Sequence, residues 1–312
     1  MKTGIGSDGA APPGGAARSV DTGCEDGGGA APDSAAPVTA VNRPVTDLRT
    51  VMDVTGRTVI VTGGSGGIGG GIAEAFAQRG ASVAVLDLDL EGAKVEAEKL
   101  RRLSAVTAPA ARHLAVRCDV ADRNSVRAAV DEVLAVFGHI DVLVNNAGIS
   151  PVKAFLDMDD DLPEWHRTID VDLHGPAYVT HAVGNAMRAA KRGGLIINIS
   201  STGGATCSGA KIMPLPGYTA AKAALNHLSR AWAVEFAEYG IRVNCIMPGP
   251  THSRLDAQLT PGMVKAIEHS MLTGRFGEPL EIGALCVFMA SAEGAHLNGV
   301  VMAHDGGFLC VH

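Results

Sequence analysis

Tyr218 and Lys222 stand four residues apart in "PGYTAAK" (216–222), a spacing that sends both side chains out of one face of a helix, one turn from each other. A phenol beside an ammonium can trade protons with a bound molecule, and it can equally be an ordinary solvated helix face. The spacing leaves both readings open. The stretch "TGGSGGIGGG" (62–71) is more specific. Glycines let the backbone turn sharply and approach a pyrophosphate, whose charge is met by the amides of a helix N-terminus. A run so rich in glycine satisfies many spacings by chance, so its surroundings decide. The β-branched run "TVIVT" (58–62) leads into it, a helical stretch leaves it, and the next apolar run ends at Asp87. A carboxylate there can accept hydrogen bonds from both hydroxyls of an adenosine ribose. The pattern predicts a dinucleotide site. A 2'-phosphate would face the Asp87 charge, and neither the glycine loop nor the following Leu88 and Asp89 supplies a Lys or Arg to neutralise it. NAD is therefore expected over NADP.

The elements that must position these groups alternate in type. After the first strand come a helix near 68–79, "SVAVLD" (82–87), a helix near 91–102, "HLAVRCD" (113–119) and a helix near 124–137. Then follow "IDVLVNN" (140–146), a long helix near 163–191, "LIINIS" (195–200), the helix opened by Tyr218, "RVNCIM" (242–247), two helical stretches between 261 and 291, and "VVMAHD" (300–305). Continuous apolar strands alternating with helices predict a Rossmann-type, doubly wound α/β fold with a parallel sheet of about seven strands, covered on both faces.

The first fifty residues read differently. They are dominated by Gly, Ala and Pro without helical or strand periodicity, and such a segment buries too little apolar area to offset its ordering entropy. The expected organisation is a disordered tail over 1–50 and one Rossmann-fold domain over 51–312. A formal charge of −7 argues against a nucleic-acid or anionic-membrane partner and leaves a small molecule. The six cysteines lack the tight spacing of a zinc or disulfide framework, so no metal is expected. Buried thiols within apolar runs, together with the lack of a long apolar run or signal-like N-terminus, give a cytoplasmic expectation.

Further stretches fall in a fixed order: "CDV" (118–120), "NNAG" (145–148), "NISS" (198–201), "YTAAK" (218–222), "RVNCIMPGPTHS" (242–253) and "HDGG" (304–307). With "TGGSGGIG" (62–69), the set resembles the short-chain dehydrogenase/reductase family over roughly residues 55 to 310. The resemblance implies that Gly63, Ser65, Gly67, Ile68 and Gly69 line the pyrophosphate. It places Asp119 and Val120 at the adenine, and Asn146 and Gly148 at the end of the fourth strand beside the cofactor. Thr251 would make a backbone contact to the nicotinamide amide, and Ser253, also at the cofactor, stands where Thr is usual and keeps its hydroxyl. Tyr218 would be the acid/base, with Lys222 as a fixed cation that also holds the nicotinamide ribose. A phenol ordinarily ionises near pH 10, and a neighbouring ammonium and the positive nicotinamide ring favour its phenolate. Ser201 would orient the substrate oxygen, and strand alternation turns Ser200 the other way.

This chain departs from the family pattern at "VDLHG" (171–175), where Asp172 occupies the fourth catalytic position, usually Asn. An ionised Asp172 would pair with Lys222 and weaken its effect on Tyr218. The loop "TGGATCSGAKIMPLPG" between Ser201 and Tyr218 is longer than is common in the family. It suggests a pocket wall, with 251–275 as a lid, where Ile212, Met213 and Leu215 could present an apolar surface and Lys153, Lys211 and Arg254 could meet an anion, and it fits an ordinary surface loop with solvated charges equally well. The implied activity is hydride transfer between a secondary alcohol, cyclic ones included, and its ketone. The alternatives are reduction of a 3-oxoacyl thioester on a carrier protein and, in a different class, an NAD-binding regulatory protein. The family resemblance further implies a homotetramer or homodimer, joined through the helices near 163–191 and 218–239.

Overall fold

The computed structural model describes residues 51–207, 213–253 and 259–311. The tail expected over 1–50 lies outside them, as do Lys211, Ile212 and Arg254. The strands are β1 (Thr58–Thr62), β2 (Ser82–Asp87), β3 (His113–Arg117), β4 (Val142–Asn145), β5 (Gly194–Ile199), β6 (Ile241–Pro248) and β7 (Val301–His304). They form one parallel sheet in the order β3-β2-β1-β4-β5-β6-β7. The chain leaves the β3 edge and crosses to the far side of β1 to begin β4. A crevice opens at that reversal, beyond the carboxyl ends of β1 and β4, where doubly wound sheets take their ligands.

The helices are α1 (Gly67–Gln78), α2 (Leu90–Thr107), α3 (Arg123–Phe137), α4 (Pro163–Ile169), α5 (Gly175–Ala190), α6 (Pro216–Glu235), α7 (Pro261–His269), α8 (Pro279–Ala290) and α9 (Phe308–Val311). Strand alternation divides the core between them. Val59, Val83, Val142 and Leu195 pack with Ile72 of α1, Leu100 of α2 and Ile282 of α8. Ile60, Ala84, Leu143 and Ile196 pack on the other face with Val130 of α3, Val183 of α5 and Ala233 of α6. The central strands are buried almost throughout, as continuous apolar runs require. The edge strands β3 and β7 are only partly covered.

Three boundaries differ instructively from the sequence reading. Helix α2 runs on to Thr107 because nothing stops it until Pro109 disfavours helical backbone at the residue before it. Strand β3 stops at Arg117, which leaves Cys118 and Asp119 in the following turn. The expected single helix over 163–191 is two helices joined by a π-turn, Asp170–His174. Pro176 explains the interruption: it has no N–H for the carbonyl of Asp172 four residues back, and its ring crowds that carbonyl. The Gly175 amide instead reaches the Asp170 carbonyl, one residue further than in an α-helix.

Candidate active site

The glycine loop is held from below by the end of β4. Asn146 Nδ2 donates to the carbonyls of Thr62 and Gly63, each at 3.0 Å, and Thr62 Oγ1 accepts from the amides of Asn146 (3.0 Å) and Ala147 (3.1 Å). A Cβ on Gly69 would stand 2.1 Å from the Gly63 carbonyl oxygen, so α1 can lie this close to the loop only with glycine there. Helix α1 starts at Gly67 with no side chain capping it and no acidic residue in its first turn. Its amides face the crevice with a positive dipole end, which fits a pyrophosphate.

Asp87 closes the far side. Its Oδ2 accepts from the Ser65 amide at 3.1 Å and its Oδ1 from the Asp89 amide at 3.0 Å, so the carboxylate ties β2 to the glycine loop while keeping lone pairs for a ribose. Register also brings Arg117, at the end of β3, beside Asp87, a cation that a search of adjacent sequence does not find. In the next turn Asp119 Oδ1 accepts from the Ala121 amide at 3.0 Å, and Val120 is buried against Gly175.

Tyr218 and Lys222 do lie on one face of α6, with the Lys222 ammonium nitrogen 5.4 Å from the centre of the Tyr218 ring. Ser201 joins them at the end of β5: a Cβ on Gly203 would meet Ser201 Oγ at 3.4 Å and Tyr218 Cε1 at 3.8 Å, so the two side chains flank one point. Ser201 Oγ accepts from the Gly203 amide at 3.0 Å. Ser200 is turned inward and donates its hydroxyl to the Lys222 carbonyl at 3.0 Å. Helix α6 is fixed to the sheet by a buried polar chain. Asn145 Nδ2 donates to Thr180 Oγ1 and Asn198 Oδ1, each at 2.9 Å, Asn198 Nδ2 to Ser229 Oγ at 2.8 Å, and Ser229 Oγ to the Leu225 carbonyl at 2.7 Å.

Asp172 reaches this group through the π-turn. It is fully buried, its Oδ1 accepts from the Ile149 amide at 2.8 Å, and its Oδ2 lies 3.4 Å from Lys222 Nζ. That second oxygen has the distance of an ion pair without the geometry of a hydrogen bond. Lys222, only 3% exposed, donates instead to the Ile199 carbonyl at 3.2 Å. Burial pulls the ammonium down, but Asp172 and Tyr218 outweigh it and hold Lys222 above its ordinary value. Burial pushes the Asp172 carboxyl up, and Lys222 and the Ile149 amide offset this only in part. Gly148 leaves the pair its space, since a Cβ there would come within 3.0 Å of Asp172 Oδ2.

These groups border a cavity of about 890 Å³ that Ile68, Asn146, Gly148, Thr251 and Ser253 also line. Thr251 is buried and donates its hydroxyl to the Gly249 carbonyl at 3.0 Å, and its backbone bridges to Gly277. Met213 and Leu215 line the cavity. Lys153 does not; its ammonium is paired with Glu164 at 2.8 Å. Sequence reasoning did not find the Thr62 hydroxyl, the Ile199 carbonyl or the Asn145 chain. Their role follows from which strands are neighbours, although the paired asparagines of "NNAG" and "NIS" at two strand ends were a usable signal. Among the described residues no helix is long and apolar enough to cross a membrane.

A family model described as enoyl-(acyl carrier protein) reductase matches residues 63–309. The D-threitol dehydrogenase of Mycolicibacterium smegmatis is 36% identical over 254 residues, covering 81% of this chain and 93% of that protein. The cis-4-hydroxycyclohexanecarboxylate dehydrogenase of Sinomonas cyclohexanicum is 38% identical over 256 residues, covering 82% and 97%. Among solved structures, a short-chain type dehydrogenase/reductase from Mycobacterium marinum matches with a TM-score of 0.78 and 32% identity, over 85% of this chain and 100% of that one. With its ordered motifs gathered at one crevice and this likeness running nearly its whole described length, the chain belongs to the short-chain dehydrogenase/reductase family.

Proposed function

We propose that the protein is an NAD-dependent dehydrogenase interconverting a secondary alcohol, cyclic ones included, and its ketone, with Tyr218 as the acid/base. Family membership carries the coarser statement, an oxidoreductase of alcohols using a nicotinamide cofactor. The observation that carries the finer one is the convergence of Ser201, Tyr218 and buried Lys222 on one cavity that Ile68 of the glycine-rich stretch also lines. The bound nicotinamide would supply the hydride acceptor or donor. The amides from Gly63 to Gly69, Ser65 among them, would hold the pyrophosphate, and Asp87 the adenosine ribose. Asp119 and Val120 would border the adenine, Lys222 the nicotinamide ribose, and Thr251 and Ser253 the amide. Ser201 would donate a hydrogen bond to the substrate oxygen and orient it. Tyr218 would take the hydroxyl proton in oxidation and return it in reduction, its phenolate stabilised by the Lys222 charge.

The cofactor assignment rests on Asp87 and is tested by comparing kcat/KM with NAD and NADP over a panel of secondary alcohols and an acetoacetyl thioester. NAD is expected to be better by at least about tenfold, since a 2'-phosphate would meet the carboxylate at close range. Equal or better use of NADP removes the assignment. NAD binding with no turnover of any alcohol or thioester would favour the regulatory alternative.

Asp172 gives a second expectation. Its carboxylate stands beside Lys222 and subtracts from the positive charge felt by Tyr218. In Asp172→Asn that subtraction is gone and the phenolate forms more readily. The rising limb of kcat/KM against pH for alcohol oxidation should therefore move to lower pH. A limb unchanged in position and height takes Asp172 out of the mechanism.

A further inference from the structure

We propose that the cavity selects an uncharged alicyclic secondary alcohol or ketone, about the size of a 4-alkylcyclohexanol, over polyols and hydroxy acids. The inference rests on the function proposed above and narrows its substrate class. Beyond Ser201 and Tyr218, the walls come from four separate segments, and each presents apolar side chains. Phe155 comes from the β4–α4 connection, Met213 and Leu215 from the segment before α6, Met263 and Ile267 from α7, and Phe308 from the start of α9. Phe155, 46% exposed, meets Trp165 edge-on, ring centres 5.7 Å apart at 77°, so this wall presents an aromatic surface.

Charge is scarce in the described lining, and its hydroxyls are already engaged in part. Among the described residues lining the cavity, Lys222 carries the only permanent charge, and it is committed to Asp172 and the Ile199 carbonyl. Lys153, the nearest cation in the Phe155 segment, is turned to Glu164. The hydroxyls of Ser270 and Thr219 already donate to the carbonyls of Ile267 (2.7 Å) and Pro216 (3.1 Å). A polyol placed against the walls formed by Phe155, Met213, Leu215, Met263, Ile267 and Phe308 would shed water from several hydroxyls and meet apolar side chains in return, at a cost of roughly tenfold or more in affinity for each one left unpaired. A saturated ring loses nothing of that kind, and each methylene it places against the apolar walls should gain about fourfold. The cavity of about 890 Å³ is large enough to admit such a ring together with the nicotinamide end of the cofactor.

The test uses the full chain with NAD and compares cyclohexanol, 4-methylcyclohexanol, 4-ethylcyclohexanol, xylitol and 4-hydroxycyclohexanecarboxylate. The expected kcat/KM rises about threefold to fourfold with each added methylene and exceeds that of xylitol by at least about a hundredfold. Met263→Gln, which keeps the length of a side chain lining the cavity from α7, should lower kcat/KM for 4-ethylcyclohexanol by about tenfold while leaving the KM for NAD unchanged. Affinities of the same compounds for the Tyr218→Phe variant with NAD, read by calorimetry, should follow the same order without turnover. Preference for xylitol or for the carboxylate, in rate or in affinity, overturns the inference. No turnover of any compound, with the alicyclic order still seen in affinity, would instead overturn the proposed chemistry and leave the selectivity standing.

Discussion

Tyr218→Phe should lower kcat for secondary-alcohol oxidation by about 10³-fold, within the range that a positioned acid or base contributes. The change removes one oxygen. The ring stays near the Lys222 ammonium, and the helix that carries it remains tied to the sheet through Asn198 and Ser229. Melting temperature should hold, and the Kd for NAD should change by no more than about tenfold, the worth of one hydrogen bond. The residual rate should lack the wild-type rise with pH, because it has no phenol to ionise, so the fold loss should grow as pH rises. A variant retaining more than a tenth of the wild-type kcat would show that the proton leaves by another route, for instance through water.

Lys222→Met should damage the molecule twice, and the two injuries can be separated. Lys222 and Asp172 are both almost wholly buried at 3.4 Å, so removing the ammonium strands a carboxylate among the ends of β4 and β5. Breaking a buried pair in this way costs about 3–5 kcal/mol of stability. The sign of the pH dependence follows from Asp172, whose folded pKa is already raised by burial and loses the lowering influence of Lys222. A carboxyl raised in the folded state stabilises below its unfolded value and loses that contribution as pH rises through its folded value. The deficit of Lys222→Met should therefore be smaller near pH 5 than near pH 8 in denaturant titrations. Adding Asp172→Asn should restore most of the stability, because no charge is left buried, and restore little of the activity. A double variant as unstable as the single one would mean that the Lys222 stem, and not its charge, holds this part of the core.

The glycine loop, Asp87 and the Tyr218–Lys222 pair were legible in the chain because each is local: a turn, a strand end, one helical turn. Strand positions were legible for the same reason, since parallel strands covered on both faces are apolar throughout. Less legible was whatever depends on who lies beside whom. Asn146, which lines the cavity, donates its side chain to the carbonyls of Thr62 and Gly63, across the junction of two strands distant in sequence, and those partners are not visible in the chain. The π-turn that aims Asp172 at Lys222 looked like uninterrupted helix, although "HGP" at 174–176 carried the warning in its proline. The path of the Ile149 amide to Asp172 could not be read from the sequence, because it depends on how α4 and α5 settle against the β4 end.

The chain of hydrogen bonds from Asn145 through Asn198 to Ser229 has a consequence for how such a protein can change. Directional bonds, rather than shape alone, set where α6 stops along the sheet, so its longitudinal position does not depend on how its outer neighbours fill space. The described segments that line the cavity, 202–207, 213–215, 251–253 and 259–276, lie outside this chain of side-chain bonds. New substrates can be acquired by rewriting those segments alone, while Tyr218, Lys222 and the sheet beneath them stay in register.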